Sequence, residues 1–450
     1  MIRLVRLRVA LALAGSAVVA AGSSAVSSGE PAGLHDSQDC IGISNYTCSM
    51  LTVPLDHSGT QKGSLNLAVG VSNNKHASKG VLLVLAGGPG QPGLPILPRI
   101  PSILAAEQSA YRIVVWDQRG TGAGALNCPA LQKSMGSSDL YPPPASAVRA
   151  CAAKLGDKRQ FFGTDDVVAD MEDLRNALGV DTWTIDGISY GTYVAERYAL
   201  AHPSHVTKLV LDSVVPQTGE TDLGVAEFKA TARVLKDVCG MTCVSDLATV
   251  VRAQGGGPKL LDALTLMSIV DPTFTSAVDI PSVLRDARKG DTLPLLRTLS
   301  LARSWSASPA TDLDQGLHAS ALCADWRFPW GSSRAAIAVR AKAVARAVAR
   351  LPAASLYPFD RATAAGTGFI KQCLPWAPSP PTPAPAGKIT VPTLMVNGDH
   401  DLSTPLEWAR AELKMLTKGR LVVVPGAGHS VQSRAFSGVG RTAVADFLLR

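Results

Sequence analysis

Residues 183–198 read WTIDGISYGTYVAERY, and this stretch decides the architecture. Its start, Trp183-Thr184-Ile185, has the apolar character of a buried strand. Its end, Thr192 to Tyr198, has the character of a helix. Between them lies Gly187-Ile188-Ser189-Tyr190-Gly191, a G-x-S-x-G pentapeptide. A strand that turns into a helix this abruptly needs glycine on both sides of the turn, because larger side chains would clash there. Such a turn lifts the Ser189 hydroxyl above the sheet, and the helix N-terminus favours negative charge developing beside it. Ser189 is therefore a candidate nucleophile.

Outward from the turn, short apolar runs recur at Val81–Leu85, Ile113–Trp116, Leu209–Leu211, Thr393–Val396 and Leu421–Val424. Runs of about four or five apolar residues, separated by helical lengths such as Asp165–Leu178, read as parallel strands covered on both faces. Two further strands are expected at residues 50–54 and 64–71, the second alternating as a half-exposed strand does. The expected fold is α/β, with a mostly parallel sheet of eight strands. The alternation stops near Pro216 and resumes at Ile389. A structureless loop of that length is implausible, so residues 217–388 are read as an inserted helical cap with a Pro-rich return linker. The core is expected in two parts, 50–216 and 389–450.

A serine hydroxyl is a weak nucleophile and needs a base, itself oriented by an acid. After this kind of turn the partners follow in the order acid, then histidine. The C-terminal region supplies them. Val396-Asn397-Gly398-Asp399-His400-Asp401 follows one strand, and Pro425-Gly426-Ala427-Gly428-His429 follows the last. Asp401 is preferred to Asp399 because it lies further into its loop and precedes the turn Ser403-Thr404-Pro405. Acyl transfer also needs donors for an oxyanion. The backbone N–H of Tyr190 is expected to be one, and the loop Ala86-Gly87-Gly88-Pro89-Gly90 is expected to supply the other. Asp117-Gln118-Arg119-Gly120-Thr121-Gly122 follows another strand, and a structural task is expected for Asp117 and Arg119.

The N-terminus has the pattern of a signal peptide over residues 1–25: Arg3, Arg6 and Arg8, then a short apolar stretch, then small residues. Residues 26–49 are small and polar and read as a flexible leader. Export without a stable membrane anchor is the expectation, since the apolar stretch is too short to span a bilayer comfortably. Removing the three arginines takes the net charge from +7 to +4, and no basic run with interleaved aromatics marks a nucleic-acid partner. The eight cysteines suit disulfides in an oxidising compartment. Short separations suggest Cys40–Cys48, Cys128–Cys151 and Cys239–Cys243, leaving Cys323 and Cys373 for each other, although connectivity is not deducible from sequence. No metal or cofactor is expected, because Cys239 and Cys243 lack a second ligand pair at zinc spacing.

Taken together, G-G-P-G, D-Q-R-G-T-G, G-x-S-Y-G, G-x-x-D-x-x-T-P (Gly398 to Pro405) and G-x-G-H (Gly426 to His429) resemble the actinobacterial tripeptidyl aminopeptidases, which stand with the proline iminopeptidases among α/β-hydrolase serine exopeptidases. The resemblance runs from about Leu51 to the C-terminus. It departs at Ala86, where many relatives carry a histidine or another polar residue. It implies an α/β-hydrolase core, a helical cap, and release of short N-terminal pieces from peptides. It matches Ser189, Asp401 and His429 to the triad and Gly88 with Tyr190 to the oxyanion positions. An esterase using the same triad is the alternative, because one scaffold serves many chemistries. An exopeptidase needs a buried anion for the substrate's α-ammonium. Asp325, beside Cys323 in an apolar and aromatic stretch of the cap, is the first candidate; Glu220 and Glu227 are the others.

Overall fold

The computed structural model describes residues 33–219, 221–434 and 437–450. The expected signal peptide lies outside them. Nine strands form one sheet: β1 (Leu34–Asp39), β2 (Tyr46–Pro54), β3 (Ser64–Ser72), β4 (Val81–Leu85), β5 (Arg112–Trp116), β6 (Trp183–Ile188), β7 (Val206–Asp212), β8 (Thr393–Gly398) and β9 (Gly419–Val424). Their spatial order is β1-β2-β3-β5-β4-β6-β7-β8-β9. The first four in that order pair antiparallel and the rest parallel.

The strand beyond the expected eight is β1, which lies within the stretch read as a flexible leader. That reading is corrected. The sequence Leu34-His35-Asp36-Ser37-Gln38-Asp39 is polar because β1 is an edge strand with most of its residues exposed, and polar residues protect an edge. Cys40–Cys48 closes the hairpin between β1 and β2. The other three pairs are Cys128–Cys151, Cys239–Cys243 and Cys323–Cys373.

Both faces of the parallel strands are covered, which is why their sequences are continuously apolar. In β4 and β5, Leu83, Leu85, Val114 and Trp116 join one core. Leu82, Val84, Ile113 and Val115 join the core on the opposite face. Between β7 and β8 the described residues form nine helices, from Val225–Gln254 to Gly368–Cys373, and no strand. The helical insertion therefore returns the chain to the sheet beside the strand it left, since β7 pairs with β8. Among the described residues no helix is long and apolar enough to cross a membrane.

Arg119 holds the loops beneath the sheet edge. Its guanidinium is wholly buried and forks onto both oxygens of Asp170 at 2.6 Å. It also donates to the carbonyls of Leu55 (2.9 Å), Phe161 (2.7 Å) and Pro54 (3.1 Å). Breaking a buried pair strands a charge. Arg119→Met is therefore expected to cost about 3–5 kcal/mol of stability, read as a lower midpoint in urea unfolding with the slope unchanged.

Candidate active site

Ser189 sits where β6 passes into the helix Tyr190–Ala201. Its backbone has φ +56° and ψ −126°, a conformation that L-residues rarely adopt and that functional turns retain. The two flanking glycines are required sterically. A Cβ on Gly187 would stand 2.4 Å from the Gly191 carbonyl oxygen, and one on Gly191 would stand 2.6 Å from that of Leu85. The strained turn is held by main-chain bonds. Ser189 N–H donates to the Asp212 carbonyl at 2.8 Å, and Thr192 N–H donates back to the Ser189 carbonyl at 2.8 Å.

Asp401 and His429 meet as the sequence order predicts. They leave adjacent parallel strands, β8 and β9, and the His429 Nδ1 lies 2.9 Å from Asp401 Oδ2. Asp401 is fully buried. Its Oδ1 accepts the N–H groups of Ser403 (2.8 Å) and Thr404 (2.9 Å), and its Oδ2 accepts the Thr404 hydroxyl at 2.7 Å. Burial, the largest influence, pushes its pKa up. The charge of His429 and these hydrogen bonds outweigh burial and hold the carboxyl below its ordinary value. For His429, burial pulls down most strongly, but the charge and hydrogen bond of Asp401 carry its pKa above the ordinary imidazole value. Asp399 has a different task. Its Oδ1 accepts Gly426 N–H at 2.7 Å, tying one loop to the other. His400 is bonded to the Pro272 carbonyl (2.7 Å) and to Asp237 (2.9 Å).

Two residues to which sequence reasoning gave no side-chain task position this assembly. Thr404 bonds Asp401 and also lies 3.2 Å from His429 Nδ1. Asp212, at the end of β7, links the serine to the histidine loop. Its carbonyl holds Ser189 N–H, while its buried carboxylate accepts Val431 N–H (3.0 Å) and Gln432 N–H (2.8 Å) just past His429. Desolvation pushes the Asp212 pKa up to about 6. The available signal was an acid closing an otherwise apolar strand, Leu209-Val210-Leu211-Asp212.

The loop Ala86–Gly90 lies against the serine: a Cβ on Gly87 would stand 3.0 Å from Ser189 Cβ. Gly88 has φ +107°, and a Cβ there would meet Gly90 N at 2.5 Å. The loop is pinned to the helical insertion, where Asp314 N–H donates to the Gly90 carbonyl at 3.0 Å. Asp314 also caps the helix Gln315–Asp325 through Leu317 N–H.

The other end of that helix carries Asp325, and the structure gives it a different task from the expected ammonium contact. The carboxylate is buried and engaged by four donors of the protein itself. These are Thr164 N–H (3.1 Å), the Thr164 hydroxyl (2.7 Å), the Tyr190 hydroxyl (2.6 Å) and the Thr382 hydroxyl. A carboxylate so saturated has no vacant lone pair to offer an ammonium. Asp325 instead anchors the side chain of Tyr190, the residue after Ser189. One helix thus braces both segments expected to carry the oxyanion donors, through Asp314 at its start and Asp325 at its end. Position 220 lies outside the described residues. Glu227 is buried with Oε2 lacking a partner among the described residues. Burial, then the nearby Asp222, raise its pKa well above the ordinary carboxylate value.

Among the described residues two groups of side chains have metal-ligand character: Glu172 with His202 and His205, and His57 with Asp170 and Asp173. Both are engaged by arginine. Arg175 forks onto Glu172 at 3.0 Å, and Arg119 onto Asp170, so each reads as an ion-pair network.

Comparison with known proteins agrees with this geometry. Residues 80–231 match the family described as alpha/beta hydrolase fold, and residues 358–450 the family described as TAP-like protein. A tripeptidyl aminopeptidase of Streptomyces coelicolor is 28% identical over 204 residues, 40% of this chain and 38% of that protein. A proline iminopeptidase of Xylella fastidiosa is 32% identical over 133 residues, 30% of this chain and 32% of that protein. The serine protease Hip1 of Mycobacterium tuberculosis is 25% identical over 440 residues, 85% of this chain and 81% of that protein. The match to the aminopeptidase thus spans well under half the length of either partner. With a nine-stranded, mostly parallel sheet, a serine at a strained strand-to-helix turn and a helical insertion between β7 and β8, the chain belongs to the α/β hydrolases and carries a TAP-like C-terminal region.

Proposed function

We propose that the protein is an exported serine exopeptidase that removes short pieces from the free N-terminus of peptides through an acyl-enzyme. The observation that carries this reading is the 2.9 Å contact between His429 Nδ1 and Asp401, on loops that Asp212 ties to the Ser189 turn. With Nδ1–H donated to Asp401, Nε2 is left as the base. It takes the proton of Ser189 Oγ as the oxygen attacks the scissile carbonyl carbon. The N–H groups of Gly88 and Tyr190 receive the oxyanion. The imidazolium then protonates the leaving amine, and water, deprotonated by the same nitrogen, releases the acyl group and restores Ser189. The four disulfides support an oxidising location.

The restriction to free N-termini rests on Glu227. Its buried Oε2 lacks a partner among the described residues, and an ammonium placed there would oppose the burial that raises its pKa; the α-amino group, with a reference pKa of about 8, is largely protonated at neutral pH. Glu227→Gln is expected to lower kcat/KM for a free-amine peptidyl anilide about thirtyfold or more, with a far smaller effect on the N-acetylated substrate. Equal losses on the two would give Glu227 a structural task. The whole reading is tested with a 4-nitroanilide of a short peptide and a 4-nitrophenyl ester assayed side by side. Ester cleavage alone would make the protein an esterase, and failure to react with a fluorophosphonate would remove the serine mechanism.

A further inference from the structure

A cavity of about 240 Å³ opens beside the Ser189 turn. Three of its lining residues belong to the segments that carry the chemistry: Gly87 of the oxyanion loop, Ile188 immediately before Ser189, and Ser430 immediately after His429. An occupant of this cavity is therefore next to the scissile group. The walls also carry two arginines, Arg99 and Arg434, and one acid, Asp312. In the remaining wall the apolar Pro92, Pro95, Ile96 and Ile103 stand beside the polar Gln91 and Ser433.

The two arginines are the informative feature. Among the described residues neither enters an ion pair. Arg99 is tied by its guanidinium to the Ser433 carbonyl, on the histidine loop. Both arginines are exposed on their outer side, yet desolvation, then the charge of Arg99, pull the Arg434 pKa below the ordinary guanidinium value. Asp401 and Asp212 act on it in the opposite sense, which places Arg434 within electrostatic reach of both. Two like charges gathered at one cavity repel, and neither is compensated by a bonded acid. A planar guanidinium pairs best with a carboxylate, through two parallel hydrogen bonds.

We propose that this cavity is a subsite for a carboxylate of the substrate, bound by Arg99 and Arg434 one or two residues from the scissile bond. This deepens the peptidase reading and rests on it: the preferred substrates are short peptides whose anionic group lies close to the bond cleaved. That group is either the free C-terminal carboxylate of a short leaving peptide or an acidic side chain.

Binding is measured by calorimetry in chloride buffer, on the full chain with Ser189→Ala so that nothing is turned over. The probes are Ala-Ala, its C-terminal amide, and Asp-Ala-amide beside Asn-Ala-amide. Ala-Ala is expected to bind at least about tenfold more tightly than its amide. That preference is expected to disappear in Arg434→Gln and in Arg99→Gln, two variants that guard against one failing to fold. A preference for Asp-Ala-amide over Asn-Ala-amide instead would identify the side chain as the source. Equal binding of carboxylates and amides, or a preference that survives both substitutions, overturns the subsite. Because the readout needs no turnover, a protein that cleaves esters but no peptide would sink the peptidase reading and still give this result.

Discussion

Ser189→Ala is expected to lower kcat on any substrate by about a millionfold, the loss seen when a serine protease is deprived of its nucleophile. The fold should survive, because the structural work of this residue is done by its main chain. Its N–H bonds the Asp212 carbonyl and its carbonyl accepts Thr192 N–H, both at 2.8 Å, and alanine keeps both. Alanine also tolerates the φ of +56° no worse than serine does. The check is a pair of measurements on one preparation: kcat with a peptidyl anilide, and the thermal midpoint by circular dichroism. A variant with an unchanged midpoint and a substantial share of wild-type turnover would show that the nucleophile lies elsewhere.

Asp401→Asn is expected to cost about ten-thousandfold in kcat, and Asp399→Asn far less. The difference follows from their partners. Asp401 accepts a hydrogen bond from His429 Nδ1, so it sets the imidazole tautomer and leaves Nε2 free to act as base. An asparagine that donates at this position would favour the wrong tautomer. Among the described residues, Asp399 bonds only a backbone N–H of the neighbouring loop through its side chain. The pH profile gives a second reading. The base works in its neutral form, and Asp401 raises the His429 pKa above the ordinary imidazole value. The acidic limb of kcat/KM in the wild type should therefore lie above the ordinary imidazole range, with activity rising as pH climbs through it. In Asp401→Asn the residual activity should show that limb moved to lower pH, since burial, aided by the charge of Arg434, then outweighs what Asp212 still contributes. A larger loss in Asp399→Asn would move the acid to that position.

Much of this was legible in the chain, and the reason differs from element to element. Each parallel strand was visible as a continuous apolar run because both its faces are covered, a property written into consecutive residues. The turn at Ser189 was visible because its glycines are required by contacts within five residues. The order of serine, acid and histidine was visible because each residue ends a strand that could be counted. The edge strand Leu34–Asp39 was not visible. It is half of a hairpin, its residues face solvent, and a polar strand has the composition of a loop.

The side-chain partners were beyond the sequence. Asp325 stands in an apolar stretch and so invited a ligand-binding role. Its four donors come from Thr164, Tyr190 and Thr382, one of them 161 residues away along the chain. Asp212 was an acid at the end of a strand until the fold laid the histidine loop over it. Arg99 and Arg434 are 335 positions apart in the chain and line one cavity only because the first helical turn after β4 and the loop after β9 close over the same end of the sheet. Periodicity and turn chemistry are set by near neighbours, so the sequence by itself determined the strands, the elbow and the candidate triad. Hydrogen bonding and charge pairing act through space at about 3 Å, so only the tertiary structure decided which acid stands against the histidine, what Asp325 holds, and where two arginines without an ion pair among the described residues meet.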